Sequence, residues 1–166
     1  TVRRRHRLRI IGPNGIGKTT LLEKLAAGKE EGAQISKGVL IGYYRQDFSG
    51  LPLDKTVYEV LAEAMDPPSH QEIFATAARF LLPGEKVQTK VGALSEGQKG
   101  LLCFARFTLQ KPTLLILDEP TNHINFRHLP VIAQALNEFE GGMILVSHDE
   151  EFVNQIQIDE TLDLAK

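Results

Sequence analysis

The chain has 166 residues, 42% of them hydrophobic, which is enough to bury one core. Its 19 basic and 21 acidic residues give a formal net charge of -2, so the overall charge does not indicate a protein that binds nucleic acid or a membrane surface. The single cysteine, Cys103, excludes an internal disulfide, and no apolar run approaches the ~20 residues of a membrane-spanning helix, which predicts a soluble, cytoplasmic chain without membrane insertion.

Strands and helices are predicted to alternate from the start of the chain. Residues 7–11 alternate basic and apolar side chains and indicate a strand, which a glycine-rich turn follows at Gly12. A helix is predicted over about residues 18–27, since leucines share one of its faces. Residues 39–44 are apolar and aromatic and predict a second strand.

The middle of the chain has the sequence pattern of two consecutive helices rather than of alternating strands and helices. Residues 56–65 begin with a threonine that can cap a helix, a proline-containing break follows, and residues 71–82 restore helical spacing. We therefore predict a small helical insert over about residues 49–93. The core would consist of residues 1–48 and 94–166.

The last part of the chain returns to alternating elements. Helices are predicted over residues 95–109 and 131–139, and strands over residues 113–117 and 143–146. A final apolar alternation follows over residues 156–164. Short apolar strands separated by helices are typical of a parallel α/β sheet with flanking helices.

A P-loop pattern follows the first strand, with the sequence Gly12-Pro13-Asn14-Gly15-Ile16-Gly17-Lys18-Thr19. Its glycines let backbone N–H groups converge on phosphate oxygens, and the positive end of the next helix adds to the attraction. Lys18 supplies a charge to the outer phosphates, and the Thr19 hydroxyl suits Mg²⁺. The alternative is a chance glycine turn, but the strand, loop and helix context favours phosphate. The predicted ATP-binding residues are Gly12, Asn14, Gly15, Gly17, Lys18, Thr19 and Thr20.

Two adjacent carboxylates, Asp118 and Glu119, end the apolar strand over residues 113–117. Ligands of parallel α/β sheets bind at the carboxyl ends of the strands. Asp118 would support the Mg²⁺ shell, and Glu119 would polarise the water that attacks the γ phosphate. An acidic loop is the common alternative for such a pair, and the P-loop argues against it.

A series of motifs runs along the chain in the order P-loop, Gln46, Leu94-Ser95-Glu96-Gly97-Gln98, Leu117-Asp118-Glu119-Pro120 and Ser147-His148-Asp149. This set resembles the ATP-binding cassette (ABC) ATPases and covers nearly all of the chain. The phrase from Asp118 to His123, the strand before Gln46 and residues 144–149 look most like the ABC-F branch. Its members are soluble, ribosome-associated ATPases.

The resemblance implies roles that the residues alone do not establish. Gln46 would bind Mg²⁺ and sense the attacking water, and His148 would contact the γ phosphate; alone, they would be an ordinary loop residue and strand-end histidine. The signature residues Ser95, Gly97 and Gln98 would act in trans, on ATP held by a second cassette in the same chain or in a second copy. The ribosome, with its rRNA and tRNA, would be the larger partner.

Several residues depart from the family pattern. Glu96 replaces the first glycine usual in the signature and brings a carboxylate near the place of a partner's γ phosphate. Leu101 stands where arginine is usual, and Asn125 where aspartate is usual. Only residues 1–11 precede Gly12, without the strands and the adenine-stacking aromatic residue usual there, which predicts a truncated domain.

Two other classes of ATPase share part of this motif set. The ATPase subunit of a membrane transporter shares every catalytic motif, but Asn122-His123 favours the ABC-F branch. ATPases of DNA repair and chromosome organisation would need a coiled coil or zinc cysteines inserted between Lys18 and Asp118, and these residues are only 100 positions apart, so neither fits. The basic run over residues 3–7 could contact ribosomal RNA, with a solvated strand edge as the alternative.

Overall fold

The structure is a computed structural model that describes residues 5–12, 18–26, 39–45, 48 and 50–164, without the side chains of Thr19 and Ala26. The chain forms two compact units. The first unit comprises Thr1–Gln46, Pro112–Pro120 and Glu140–Lys166, and the second comprises Asp47–Lys111 and Thr121–Phe139.

These units divide the chain differently from the predicted core and insert. The helix predicted over residues 95–109 and the one predicted over residues 131–139 both fall in the second unit, together with the residues of the predicted insert. The domain boundaries at residues 48 and 93 therefore stay a prediction.

The described part of the first unit contains a five-stranded parallel sheet in the order β2-β3-β4-β1-β5. Its strands are β1 (Arg7–Ile11), β2 (Ile41–Tyr44), β3 (Leu114–Asp118), β4 (Gly142–Val146) and β5 (Glu160–Asp163). Val146 on β4 is in register with Ile10 on β1 and with Asp118 on β3. The carboxyl ends of these three neighbouring strands therefore lie at one edge of the sheet.

The core of the first unit lies between the sheet and α1 (Lys18–Ala26). One buried cluster contains a helix leucine and apolar residues of three strands, namely Leu22, Ile10, Ile116, Ile144 and Val146. Burying side chains of this size stabilises the fold by about 1.5–3 kcal/mol each. The short helix α6 (Glu150–Val153) follows β4.

The second unit is helical in its described part. Its helices are α2 (Val57–Glu63), α3 (His70–Arg79), α4 (Glu96–Gln110) and α5 (Leu129–Glu138), with 3₁₀ helices at Gly84–Gln88, Val91–Ala93 and Phe126–His128. The helices α2, α3 and α5 all contact α4. Cys103 on α4 is buried, which confirms the predicted core thiol, and burial raises its pKa to about 12.

Two helices of the second unit begin with a capping box. The Thr56 side chain accepts a hydrogen bond from the Glu59 N–H, and the Glu59 carboxylate accepts one from the Thr56 N–H. Ser95 and Gln98 repeat this arrangement at α4. Such a cap stabilises a helix by about 1 kcal/mol, because it satisfies N–H groups that lack partners within the helix.

The predicted α/β class, parallel sheet and helix order are confirmed, whereas some bounds differ. The strand predicted from residue 39 begins at Ile41, and the helix predicted from residue 131 begins at Leu129, with a proline that suits its first turn. The final apolar alternation forms a strand only over Glu160–Asp163. No helix in the described part of the chain has the length and apolar character needed to cross a membrane.

Candidate functional site

Three neighbouring strand ends bring predicted site residues together in the first unit. Gly12 follows β1, Glu119 follows Asp118 at the end of β3, and His148 follows β4 by two positions. The parallel register places these strand ends at one edge of the sheet. This is the edge at which open α/β sheets bind ligands.

Lys18 begins α1 and is 8% exposed. Its ammonium group donates to the Gly12 carbonyl oxygen at 2.5 Å and lies 2.8 Å from His148 Nε2. The Lys18 ammonium group is thus held by a carbonyl oxygen and a ring nitrogen, and phosphate oxygens would be stronger partners for its charge.

Glu119 adopts a left-handed backbone conformation, with φ of 48°. Its N–H donates to the Val146 carbonyl at 2.8 Å, and its carboxylate accepts from the His148 N–H at 3.2 Å. The carboxylate also lies 3.3 Å from His148 Nε2. A left-handed residue other than glycine costs about 1–3 kcal/mol, so these contacts with the end of β4 are what keep Glu119 in place.

The pKa of Glu119 is raised above its ordinary value, and burial is the main cause. The hydrogen bond from the His148 N–H, the His148 ring and Lys18 lower the pKa, whereas the Asp118 carboxylate raises it. Removal of a carboxylate from water disfavours its charged form. A more basic carboxylate is better suited to accept a proton from water.

Asp118 supplies a buried carboxylate beside these groups and is 2% exposed. In the described part of the chain, no three or more His, Cys, Asp or Glu side chains form a group that could hold a metal ion. Mg²⁺ does not need such a group, because it is commonly bound by one or two protein ligands together with phosphate oxygens and water. The Asp118 carboxylate therefore fits a magnesium ion that arrives with a nucleotide.

Other predicted binding residues can be placed only in part. Thr20 is exposed on α1, and Thr19 lies in the same helix without a described side chain. The remaining ones, Asn14, Gly15, Gly17 and Gln46, lie outside the described residues. Their roles stay predictions.

The signature residues lie in the second unit at the start of α4. Ser95 Oγ accepts from the Gln98 N–H at 3.1 Å, and Gln98 Oε1 accepts from the Ser95 N–H at 2.9 Å. Ser95 keeps its hydroxyl proton and Gln98 its amide protons, so both can still donate to a ligand. Glu96 lies 3.3 Å from Lys99 Nζ, and this cation offsets part of the charge that the carboxylate brings to the signature.

Gly97 packs closely against the loop that follows Glu119. A Cβ atom at this position would lie 2.9 Å from the His123 carbonyl oxygen, which is too close for any side chain. Further along the loop, Asn125 Oδ1 accepts from the Arg127 N–H at 2.9 Å. The amide at 125 therefore performs a local capping role that an aspartate could also perform.

Two contributors to the site were not predicted. The Asp149 side chain accepts from the Phe152 N–H at 3.0 Å and caps α6, which the acidic residues after Asp149 could have indicated. Arg9 donates to the Ser147 carbonyl at 2.9 Å. The sequence signal at Arg9 indicated only a strand.

Comparison with known proteins identifies the family to which this site belongs. The family model described as "ABC transporter" matches residues 1–122. The chain belongs to the ABC family. It is an ABC ATP-binding cassette, and cassettes of this family bind ATP and dimerise.

Relatives of the cassette include several members of the F branch. It is 39% identical over 162 residues to ABC transporter F family member 5 of Arabidopsis thaliana, which covers 94% of this chain and 23% of that protein. It is 36% identical over 154 residues to ATP-binding cassette sub-family F member 3 of Mus musculus, which covers 90% of this chain and 22% of that protein. The predicted resemblance to the ABC-F branch is confirmed, and the chain spans less than a quarter of either relative.

The fold of the cassette matches solved structures. An ATP binding subunit of an ABC transporter superposes with a TM-score of 0.74 at 22% identity, over 90% of this chain and 70% of that chain. At this identity the likeness establishes the fold alone. It confirms the predicted P-loop α/β class.

Proposed function

We propose that the cassette binds MgATP at the edge of the first unit's sheet and hydrolyses it to ADP and phosphate. The contact of His148 Nε2 with Lys18 at 2.8 Å and with Glu119 at 3.3 Å is the observation that supports this proposal most strongly. A phosphate-binding cation, a polar ring and a proton acceptor are thereby collected at one place. Each has a separate task in phosphoryl transfer to water.

The chain's own residues divide these tasks. Lys18 turns from its internal acceptors to the outer phosphates, and His148, released by Lys18, contacts the γ phosphate. Glu119 orients the attacking water and accepts its proton, which its raised pKa favours. Mg²⁺, held by Asp118 together with Thr19 and Gln46, would neutralise charge on the phosphates.

Complete catalysis requires a second cassette. Ser95, Gly97 and Gln98 belong to the second unit, and we propose that they act on ATP bound by the partner. The Ser95 hydroxyl proton and the Gln98 amide protons are the donors available for that task. The Glu96 carboxylate would repel the phosphates of the partner's ATP, and its ion pair with Lys99 reduces this repulsion.

Hydrolysis per chain is therefore expected to rise with protein concentration, because ATP must bridge two cassettes before the signature can act. Phosphate release is measured over a wide range of protein concentrations at saturating MgATP, with the mass of the particle followed by light scattering. A rate per chain that stays constant while the protein remains monomeric would contradict the composite site.

The cellular role that we propose is that of a cytoplasmic ABC-F factor acting on the ribosome. The F-branch relatives and the Asn122-His123 phrase support it. Of the basic run over residues 3–7, Arg5 and His6 lie beside the carboxylates of Glu140 and Glu160, which offset part of the positive charge that RNA would meet there.

Binding to ribosomes is expected to depend on ATP. The purified Glu119→Gln variant, which we expect to retain ATP, is centrifuged with source-matched ribosomes in MgATP or in MgADP. We expect it in the ribosome pellet with MgATP only. Equal amounts in both pellets, or none in either, would contradict the ABC-F role, and binding to a membrane protein instead would favour the transporter.

A further inference from the structure

Arg9 lies in the middle of β1, and its side chain is only 13% exposed. The guanidinium group reaches across to the turn that follows β4. It donates to the Ser147 carbonyl oxygen at 2.9 Å and to the two Glu150 carboxylate oxygens at 2.6 and 3.5 Å. One side chain therefore holds this turn at residues on both sides of His148.

The Ser147 carbonyl belongs to the peptide group that joins Ser147 to His148. The N–H of the same peptide group donates to the Glu119 carboxylate at 3.2 Å. A peptide group is planar, and in the trans form its oxygen and hydrogen point in opposite directions. A bond that fixes the oxygen therefore also fixes the direction in which the N–H points.

The charge of Arg9 strengthens this connection. A cation at the carbonyl oxygen polarises the peptide group and makes its N–H a better donor. Glu150, which lies beside the guanidinium, keeps a pKa below its ordinary value because of its hydrogen bond with Arg9. The ion pair therefore persists into mildly acidic solution, where the carboxylate is still charged.

We propose that Arg9 is a positioning residue of the hydrolytic site, acting through the Ser147–His148 peptide group to orient the Glu119 carboxylate and the His148 ring. This inference rests on the proposed ATPase function. In this role Arg9 acts through its bonds to Ser147 and Glu150 rather than by a contact with ATP. It determines where the proton acceptor lies relative to the attacking water.

The Arg9→Met variant tests the proposal, because methionine keeps an apolar stem and removes every donor. We expect kcat for ATP to fall by about 10-fold to 100-fold, the range that a displacement of about 1 Å causes, with KM changed far less. The backbone amide signal of His148 in NMR spectra should shift, since its hydrogen bond changes. Arg9→Lys should recover part of kcat, as it can still donate to the Ser147 carbonyl.

Glu119→Gln provides a second measurement. If Arg9 acts through Glu119, Arg9→Met should cause little further loss of kcat in that variant, whereas a general structural effect would add to it. Arg79→Met is the matched control, because it removes an Arg–Glu pair of 2.7 Å in the second unit and should leave kcat and the His148 signal unchanged.

The possible outcomes separate the two proposals. An Arg9→Met variant with normal kcat, or with an unshifted His148 amide, overturns the role of Arg9. A wild-type protein that does not hydrolyse ATP overturns the proposed function, and the amide signal then still decides whether Arg9 orients this peptide group. If Arg9→Met does not fold, Glu150→Gln, which loosens the guanidinium, should still shift the signal, and no shift overturns the role.

Discussion

Replacement of Lys18 by alanine is expected to weaken MgATP binding by about 100-fold or more. Hydrogen bonds to charged groups contribute about 1.5–3 kcal/mol each, and the lysine would make them to more than one phosphate. The predicted P-loop contains no other cation that could replace it, because the remaining donors there are backbone N–H groups, the Asn14 amide and the Thr19 hydroxyl. Isothermal titration calorimetry with MgATP measures the change directly.

Lys24→Ala is the matched control for this variant. Lys24 lies on the same helix, in its last turn, and is exposed. Its replacement should leave affinity unchanged and so separate the phosphate contact from a general loss of positive charge. Unchanged affinity in Lys18→Ala would show that Lys18 does not bind phosphate.

Replacement of Glu119 by glutamine is expected to lower turnover by roughly 100-fold or more, while MgATP binding survives. Glutamine keeps an oxygen that can accept from the His148 N–H, so the geometry at the end of β4 is retained. It loses the negative charge and the ability to accept a proton. Charge repulsion with ATP also falls, so the variant should bind MgATP at least as tightly as the wild type.

Single-turnover hydrolysis and light scattering in MgATP test this result. The variant should accumulate as an ATP-bound dimer, whereas Glu151→Gln, an exposed residue of α6, should behave as the wild type. Normal turnover of Glu119→Gln would mean that another group accepts the proton. Loss of ATP binding would instead assign Glu119 a structural or metal-linked role.

The parts of the site that local sequence determines could be predicted. The apolar run before Asp118 indicates a strand, and the spacing from Ser95 to Gln98 permits a capping box at α4, which the structure contains. The contact of Glu119 with His148 could not be predicted from periodicity. It depends on the register of β3 with β4, whose partners are distant in sequence.

The role of Arg9 could not be predicted for the same physical reason. A basic residue in an alternating strand is ordinarily a solvent-facing side chain, and nothing in residues 7–11 distinguishes Arg9 from Arg7. Only the pairing of β1 with β4 brings the guanidinium to the Ser147 carbonyl. Likewise, the left-handed backbone of Glu119 has no local signal, because a residue of this type seldom adopts it.

The close approach of Gly97 to the His123 carbonyl has a mechanical consequence. The start of α4 lies directly against this loop, so a displacement of the signature towards the loop would press on the His123 backbone. A partner that docks on the signature would therefore also load the backbone at His123. The small size of residue 97 is a requirement of this internal joint, independent of any bound phosphate.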